Sequence, residues 1–229
     1  MAAQTASLAF RRPRGPWTLP GVYAPQEDTR LLGRALRAER PLDGADLLDI
    51  GTGSGALAVL AARMGARVSA TDISWRAVLA ARANAARQRQ RVRVRRGDLA
   101  GKQHGRTYDV VVTNPPYVPA PEDLPPSGGA ARAWDAGRDG RHVVDRVCAR
   151  APELLRPAGV LLMVHSGLCG VEASLHRLRA GGLAAEVVAR DHVRVGPVLS
   201  RRLPWLRAQG LVGPADEYEE LVVVRAERT

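Results

Sequence analysis

Residues 108–117 read Tyr-Asp-Val-Val-Val-Thr-Asn-Pro-Pro-Tyr. The apolar and β-branched run at residues 110–113 predicts a strand that is buried on both faces, as in a parallel sheet. Pro115 and Pro116 end this strand, because a proline has no N–H to pair and its φ is fixed. Pro115 also confines Asn114 to extended geometry. The stretch therefore predicts a stiff loop at the carboxyl end of a central strand, where open α/β sheets bind their ligands.

This loop presents two hydrogen-bond acceptors and one aromatic ring. The acceptors are the amide oxygen of Asn114 and the carbonyl of Pro115, and the ring is that of Tyr117. They suit a planar NH2 group, such as a carboxamide or the exocyclic amine of a nucleobase. Hydrogen bonds to both of its N–H groups return electron density to the nitrogen and aim its lone pair at an electrophile, with no general base required. In the alternative interpretation, the segment is only a strand-to-helix turn in which Asn114 acts as a cap.

A second loop, Gly51-Thr52-Gly53-Ser54-Gly55, follows a predicted strand at residues 45–50 and precedes a predicted helix at residues 56–64. Its glycines allow the backbone to approach a ligand closely and the helix to pack tightly on the strand. With Ala56 the loop also matches the dinucleotide pattern G-x-G-x-x-G/A. Taken alone, it is weak evidence for one particular cofactor.

Two aspartates end the next two predicted strands. Asp72 follows the strand at residues 67–71, about twenty residues beyond the glycine loop, where an acidic residue binds ribose hydroxyls in nucleoside-binding βαβ units. A helix cap is the alternative role for Asp72. Asp98 ends a strand at residues 91–95, in which three arginines on one face indicate an exposed sheet edge. We expect Asp98 to accept a hydrogen bond from an adenine amino group.

Three other segments bear on the site. A helix predicted at residues 30–40 has Asp28 or Thr29 as its cap, although Thr29 can instead face a ligand at the free N–H groups of the helix start. The Pro- and Gly-rich residues 118–140 predict a substrate-facing loop or lid. Residues 197–210 predict either a second substrate-side element or an amphipathic cover. Further helices are predicted at residues 74–90, 141–155 and 170–180, and further strands at residues 160–164, 184–189 and 220–225.

Composition bounds the class of protein. A chain of 229 residues is long enough for one α/β domain with a full core, preceded by a flexible arm at residues 1–20. The net charge of +11 comes with a single lysine, Lys102, so general arginine usage explains it as well as a nucleic-acid surface does. The densest basic cluster, at residues 82–96, is accordingly either a solvated face or a surface for an anionic partner such as a ribonucleoprotein.

Several classes of feature are absent from the sequence. No apolar run of about 18 residues exists that could span a membrane, and no basic segment precedes an apolar core as in a secretory signal. Cys148 and Cys169 lack Cys-x-x-Cys spacing, which predicts free thiols in a reducing compartment, and hence a cytoplasmic protein. The five histidines show no metal-ligand spacing, so we expect no metal site.

Five motifs, taken in order, resemble the signatures of the HemK/PrmC family of class I S-adenosylmethionine-dependent methyltransferases. The resemblance covers roughly residues 21–165 with motifs and the remainder only by strand–helix order. It implies a Rossmann-like α/β fold over residues 21–229, with a mostly parallel seven-stranded sheet, helices on both faces and an antiparallel last strand. The motifs are Val-Tyr-Ala-Pro-Gln-Glu-Asp-Thr (22–29), Leu-Asp-Ile-Gly-Thr-Gly-Ser-Gly (48–55), Thr-Asp-Ile (71–73), Asn-Pro-Pro-Tyr (114–117) and Gly-Arg-Asp-Gly (137–140).

The resemblance also implies a role for each site residue. The catalytic loop consists of Asn114, Pro115, Pro116 and Tyr117, in which Asn114 and Pro115 hold the target nitrogen and Tyr117 packs beside it. The residues implied to contact S-adenosylmethionine are Thr29 near its methionine part, Asp49, Gly51, Gly53 and Gly55 along its amino-acid and ribose region, Asp72 at the ribose hydroxyls, and Asp98 and Leu99 at the adenine. Asn114 is implied to contact the cofactor as well.

The best-known acceptor of this family is the glutamine of the Gly-Gly-Gln loop in peptide-chain release factors. The longer bacterial branch docks the release factor with an amino-terminal helical domain, which the roughly twenty residues before Gly21 are too few to supply. Residues 22–29 are more similar to the shorter eukaryotic and archaeal branch, which works with a small zinc-binding activator subunit. Two positions depart from the family, since Ala24 stands where that branch often has glutamate and Ser74 where asparagine is frequent.

Three hypotheses follow from the sequence. The first is N-methyl transfer to a carboxamide, with a nucleic-acid adenine, a protein lysine or a secondary metabolite as alternative acceptors. The second is an NAD-dependent oxidoreductase, which the glycine loop and Asp72 permit but which has no use for the loop at residues 114–117. The third is a non-catalytic, cofactor-stabilised binding module on a ribosomal or nucleic-acid assembly.

Overall fold

A computed structural model describes residues 16–99 and 105–229, and one sheet of seven strands forms the centre of this part of the chain. The strands are β1 (Asp46–Ile50), β2 (Arg67–Asp72), β3 (Val92–Arg96), β4 (Tyr108–Thr113), β5 (Leu155–Ser166), β6 (Leu183–Arg194) and β7 (Tyr218–Arg228). They lie in the order β3-β2-β1-β4-β5-β7-β6. β1 to β5 are parallel, whereas β7 runs antiparallel between β5 and β6. The predicted sheet, including its antiparallel last strand, is confirmed.

Helices cover both faces of this sheet. They are α1 (Glu27–Ala38), α2 (Ala56–Arg63), α3 (Trp75–Arg87), α4 (His142–Leu154), α5 (Val171–Ala180) and α6 (Pro197–Ala208). α1, α2 and α3 pack against one another in sequence, and α4 packs against α5. β1 is buried along its whole length and β4 at every residue but Asp109, as expected for strands with a helical layer on each side.

The strand order opens a crevice between β1 and β4. β1 pairs with β2 on one side and with β4 on the other. The chain runs outward from β1 to β3 and then returns to β4, so the connections that leave β1 and β4 turn away from each other. Ile50 lies beside Thr113 in this register, and the Thr113 hydroxyl donates to the Ile50 carbonyl at 2.9 Å. The glycine loop and the loop at residues 114–117 therefore begin at the same level.

The first helix differs from its prediction. α1 begins at Glu27 instead of residue 30, and its N-cap is Gln26, whose side chain makes no capping hydrogen bond. The expectation that Asp28 or Thr29 caps this helix is therefore wrong. Asp28 lies inside the first turn, on the buried face that also carries Leu31 and Leu32. The buried face of the helix therefore begins one turn before the first leucine.

Other boundaries shift by a few residues. α3 ends at Arg87 instead of residue 90, and β5 begins at Leu155 instead of residue 160 because Leu155 pairs with Tyr108 beyond an irregularity in the ladder. Residues 1–15 of the predicted flexible arm lie outside the described residues. The Trp17 backbone N–H donates to the Asn84 side chain at 2.9 Å, and the Asn84 amide donates back to the Trp17 carbonyl at 2.7 Å.

No helix within residues 16–99 and 105–229 combines the length and the apolar character needed to cross a membrane.

Candidate active site

A cavity of about 570 Å³ lies at the carboxyl ends of β1, β2 and β4. This volume is within the range of small-molecule and cofactor sites. The cavity is formed by the glycine loop, the start of α1, the residues after β2 and the loop that follows β4. The predicted site residues that line it are Thr29, Gly51, Gly53, Asp72, Asp98, Leu99, Asn114, Pro115, Pro116 and Tyr117.

The glycine loop exposes its backbone to this cavity. Gly51 and Gly53 have φ angles of 67° and 54°, a left-handed conformation that favours glycine. A Cβ atom on Gly51 would have its nearest neighbour, the Asn114 carbonyl oxygen, at 3.9 Å, so backbone conformation and not space requires glycine there. The loop is fixed by a hydrogen bond of 2.9 Å from the Gly53 N–H to the Asp72 carboxylate.

Two predicted cofactor-binding residues, Asp49 and Gly55, lie behind the loop and do not line the cavity. One carboxylate oxygen of Asp49 accepts from the Thr52 hydroxyl at 2.6 Å and from the Ala58 N–H at 3.1 Å. Complete burial raises the pKa of Asp49 to about 7. A Cβ atom on Gly55 would lie 3.0 Å from Ala81 of α3. In this structure both residues support the loop from behind, and their contact with the cofactor stays a prediction.

Asp72 reaches the cavity from the end of β2. Its two oxygens accept from the N–H groups of Gly53 and Ser74 at 2.9 and 2.8 Å. Burial is the main cause that raises its pKa. Each carboxylate oxygen has a second lone pair, so both can still accept from a hydroxyl group. The N-cap of α3 is Ser74, whose side chain accepts from the Ala77 N–H, so the alternative role of Asp72 as the cap is not observed.

Asp98 and Leu99 border the cavity beyond β3. Asp98 is 51% exposed and forms an ion pair of 2.6 Å with Arg146 of α4. The carbonyl of Leu99 accepts from the Thr71 hydroxyl at 2.7 Å. The Asp98 carboxylate, which is predicted to accept from an adenine amino group, thus already forms an ion pair with an arginine at the surface.

The loop after β4 converges on a carboxylate from α1. The Asn114 side-chain nitrogen donates to Asp28 Oδ2 at 2.9 Å, and the Tyr117 hydroxyl donates to the same oxygen at 3.0 Å. The Tyr23 hydroxyl also donates to Asp28 Oδ2, at 2.8 Å. The hydroxyl oxygen of Thr29 lies 3.3 Å from the Asn114 nitrogen. The side chain of Asn114 is therefore held by its nitrogen, which leaves its oxygen for a ligand.

Burial raises the pKa of both tyrosines in this cluster, and the negative charge of Asp28 is the second cause. Tyr23 and Tyr117 therefore stay protonated and act as hydrogen-bond donors to Asp28. Glu219 of β7 also lines the cavity, and burial raises its pKa to about 7, with a further contribution from the charge of Asp28. This part of the cavity thus contains two acidic groups, Asp28 and Glu219, and the phenols of Tyr23 and Tyr117.

Sequence reasoning missed Asp28, Tyr23 and Glu219 as site residues. A signal for Asp28 exists, because it falls on the buried face of α1 at helical spacing from Leu31, Leu32 and Leu36. A charged residue on an apolar stripe is costly unless donors meet it. No comparable signal marks Glu219, which reaches the cavity only because β7 inserts between β5 and β6.

Known proteins connect this site to methyl transfer. The family model described as the Methyltransferase small domain matches residues 16–123. The release factor glutamine methyltransferase of Bordetella pertussis is 37% identical over 196 residues, which cover 80% of this chain and 72% of that protein. The chain belongs to the HemK/PrmC-like family of methyltransferases. The predicted family, and with it the S-adenosylmethionine cofactor, is confirmed.

Two further relatives agree with this family. The methyltransferase HEMK2 of Mus musculus is 40% identical to this methyltransferase over 154 residues, covering 62% of this chain and 71% of that protein. Mtq2 in the Mtq2–Trm112 complex of E. cuniculi, described as responsible for methylation of the eRF1 translation termination factor, has a TM-score of 0.65 and 26% identity. That alignment covers 91% of this chain and 99% of the other.

The residues of this methyltransferase fit S-adenosylmethionine. Its cavity combines two glycines that expose backbone with a carboxylate at the position where βαβ units bind ribose, and Asn114 lines the same cavity. The buried Oδ1 atom of Asp49, directly behind the glycine loop, has no hydrogen-bond partner among the described residues. The site is thus polar at the loop and strand ends, as a nucleoside with an amino-acid tail requires.

The long segment at residues 118–140 forms a wall of this methyltransferase's cavity, as the sequence predicts. It folds back on itself, since the Val118 N–H donates to the Trp134 carbonyl at 2.8 Å and the Ala136 N–H to the Val118 carbonyl at 3.1 Å. Gly140, with a φ of 70°, passes so close to the Tyr117 carbonyl that a Cβ atom would clash with it. The Gly-Arg-Asp-Gly turn therefore supports the catalytic loop from behind.

α6 forms the neighbouring wall of the cavity. Pro197, Val198 and Leu199 line the cavity. Arg202 ties the helix to the wall segment, because it donates to the Pro119 carbonyl and to the Asp135 carboxylate, both at 2.7 Å.

Proposed function

We propose that this methyltransferase transfers a methyl group from S-adenosylmethionine to the side-chain nitrogen of a glutamine in a protein, and that a peptide-chain release factor is its substrate. The observation that carries the proposal is the orientation of Asn114, whose nitrogen is bonded to Asp28 so that its oxygen is free for an N–H2 group. The names of the Bordetella pertussis relative and of the E. cuniculi complex support a release factor as the acceptor protein.

We assign the cofactor's parts to the described cavity. Thr29 lies at its methionine end, Gly51 and Gly53 along its amino-acid and ribose region, Asp72 at the ribose hydroxyls, and Asp98 and Leu99 at the adenine. Asp49 and Gly55 act indirectly, through the loop that they support. When bound, S-adenosylmethionine supplies an electrophilic methyl group on a sulfonium.

At the acceptor, the chain positions the nucleophile. Asn114 Oδ1 and the Pro115 carbonyl accept the two N–H groups of the glutamine amide, and Tyr117 packs beside them. These hydrogen bonds offset the delocalisation that makes an amide nitrogen a poor nucleophile. In the overall reaction, the nitrogen forms a bond to the methyl carbon, the carbon–sulfur bond breaks with its electron pair left on sulfur, and the nitrogen loses one proton to solvent.

We further propose a small zinc-binding activator subunit as a partner, because Mtq2 in the similar solved structure is in complex with Trm112. Its test is to measure turnover of the methyltransferase alone and with such a subunit from the same source. A large increase in activity on addition supports the partnership, and full activity of the chain alone contradicts it.

The acceptor is tested with labelled S-adenosylmethionine and a release factor that carries the Gly-Gly-Gln loop. We expect one methyl group on the glutamine, found by mass spectrometry of the proteolysed product. A release factor with that glutamine changed to asparagine is the matched control, because asparagine keeps the carboxamide on a side chain that is one methylene shorter. A label on an adenine, a lysine or a small metabolite in a whole-cell extract, with none on the release factor, contradicts the proposal.

A further inference from the structure

We infer that Asp28 is the positioning residue that locks the Asn114 side chain with its oxygen toward the acceptor, and that this lock makes the site selective for an N–H2 group. The inference deepens the proposed function and rests on it. It assigns no contact with the reacting atoms to Asp28, which acts through Asn114.

The first step is the state of Asp28. The residue is 2% exposed, and every group within hydrogen-bond reach of it is a donor. Its Oδ2 accepts from Tyr23, Tyr117 and Asn114, and its Oδ1 accepts from the Thr29 backbone N–H at 2.5 Å. None of these hydrogen bonds requires Asp28 to act as a donor. Five donors from three separate segments therefore surround a carboxylate, which is the condition for burying one.

The second step is the effect on Asn114. A side-chain amide has two orientations, and only the contacts around it distinguish them. A carboxylate accepts but cannot donate, so the Asn114 nitrogen must face Asp28. A flipped Asn114 would bring two oxygens together at 2.9 Å and would present N–H groups to the cavity. It would then repel the N–H2 group that the proposed reaction must bind.

The third step is a prediction for the isosteric variant D28N. The Thr29 backbone N–H cannot reorient, so the oxygen of the new amide has to face it. The nitrogen of the new amide then faces Asn114, where it meets a second nitrogen. Asn114 relieves this conflict by flipping, which turns its N–H groups toward the acceptor. A single change of oxygen to nitrogen at residue 28 therefore replaces a hydrogen-bond acceptor of Asn114 in the cavity by a donor.

The same logic predicts a rescue. In the exchange variant D28N/N114D, the new amide at residue 28 donates to the new carboxylate at residue 114, and the other oxygen of that carboxylate faces the cavity. An acceptor is thus restored where wild type has one. N114D alone places two carboxylates at the 2.9 Å separation of the wild-type hydrogen bond, which is unfavourable.

The experiment measures kcat, the KM for the release factor, the Kd for S-adenosylmethionine and the urea midpoint of wild type, D28N, N114D and D28N/N114D. We expect D28N to lower kcat by roughly 10²-fold, the usual effect of losing one aligned hydrogen bond to the transition state. Its Kd for S-adenosylmethionine should stay within a few-fold. We expect the exchange variant to regain at least about tenfold over either single variant, a non-additivity that contact between the two residues requires.

D46N is the matched control. It makes the same change of carboxylate to amide at the far end of β1, where Asp46 pairs with Arg67 and Arg156. It should lower the urea midpoint and leave kcat unchanged. A merely structural role for Asp28 would make D28N behave like D46N.

Wild-type kcat in D28N, or an exchange variant no more active than N114D, overturns the inference. If D28N alone is too unstable to assay, the exchange variant against N114D still decides. Failure of wild type to methylate glutamine refutes the proposed function instead, and the same four variants are then assayed on the acceptor that the labelled cofactor identifies.

Discussion

The hydrogen bonds of Asp28, Asn114 and Asp72 leave different atoms of these side chains available to a ligand. Asp28 is nearly inaccessible and satisfied entirely by donors, whereas Asn114 keeps one acceptor atom for the cavity. Asp72 has both oxygens bonded to backbone N–H groups and still has lone pairs for a ligand. The proposed function assigns cofactor binding and activation of the acceptor to different residues, so the two roles can be tested separately.

Asn114→Ala is expected to abolish turnover almost completely and to leave the Kd for S-adenosylmethionine within a few-fold, because its oxygen acts on the acceptor. Asp72→Ala is expected to do the reverse and to weaken cofactor binding first. Isothermal titration and single-turnover rates separate the two effects. Equal losses of affinity and turnover in both variants would contradict these assignments. Biological activity that stays intact in Asn114→Ala although turnover is lost would favour a non-catalytic binding module.

Asp49 gives a prediction for the pH dependence of stability. Burial raises its pKa in the folded state to about 7 from the ordinary value of 3.8 for an aspartate. Its contribution to stability is therefore fully present below about pH 4 and is lost as pH rises to about 7. D49N keeps the shape and removes this titration. Urea melts give the free energy of unfolding of wild type and of D49N at each pH. The value for wild type minus that for D49N should fall as the pH rises from about 5 to about 7. A difference that grows with pH would contradict this prediction.

At the scale of elements, the acceptor wall depends on α6 and the segment at residues 118–140. Their connection is an ion pair between Arg202 and Asp135, whose side chains are only 19% and 7% exposed. Breaking a buried pair leaves one charge unpaired, which is far more costly than losing a surface pair. Arg202 thus connects α6 to this segment through the ion pair with Asp135 and through its hydrogen bond to the Pro119 carbonyl.

Arg202→Ala is expected to destabilise the protein by about 3 kcal/mol and to raise the KM for the acceptor protein, because Asp135 is left buried without its charge partner. The Kd for S-adenosylmethionine should not change, since the cofactor lies against the other side of the cavity. Arg201→Ala, on the same helix and exposed, is the control. Urea melts and acceptor titrations measure both effects, and identical behaviour of the two variants would contradict the assignment.

At the scale of the whole molecule, the positive charge is unevenly distributed. Many arginines in the described residues form ion pairs. A group on α3, on the edge strand β3 and on the connection between them is exposed and forms no ion pair with another described residue. The edge position of β3, which the sequence predicts from its alternating arginines, is confirmed. The group consists of Arg76, Arg82, Arg87, Arg89, Arg91, Arg93, Arg95 and Arg96.

Replacing Arg93 and Arg95 by glutamine is expected to weaken binding to a single-stranded polyanion and to reduce its logarithmic salt slope by about 1.4, or about 0.7 per charge. The matched control replaces Arg30 and Arg34, which are already paired with Glu27 and Asp191. Binding of polyuridine RNA at several salt concentrations measures the slopes. Equal slopes for the two double variants would show that the charge on the β3 edge is only a solvated face.

The sequence by itself determined the central strand and the two loops that form the cavity, because burial on both faces, prolines and glycines act locally. The seven-stranded sheet with its antiparallel last strand was implied only by the family resemblance. Only the tertiary structure decided which polar side chains face the ligand. It moved Asp49 and Gly55 behind the glycine loop and brought Asp28 from α1 against Asn114, 86 residues away. Contacts between distant segments depend on strand order and helix packing, and no spacing along the chain encodes them.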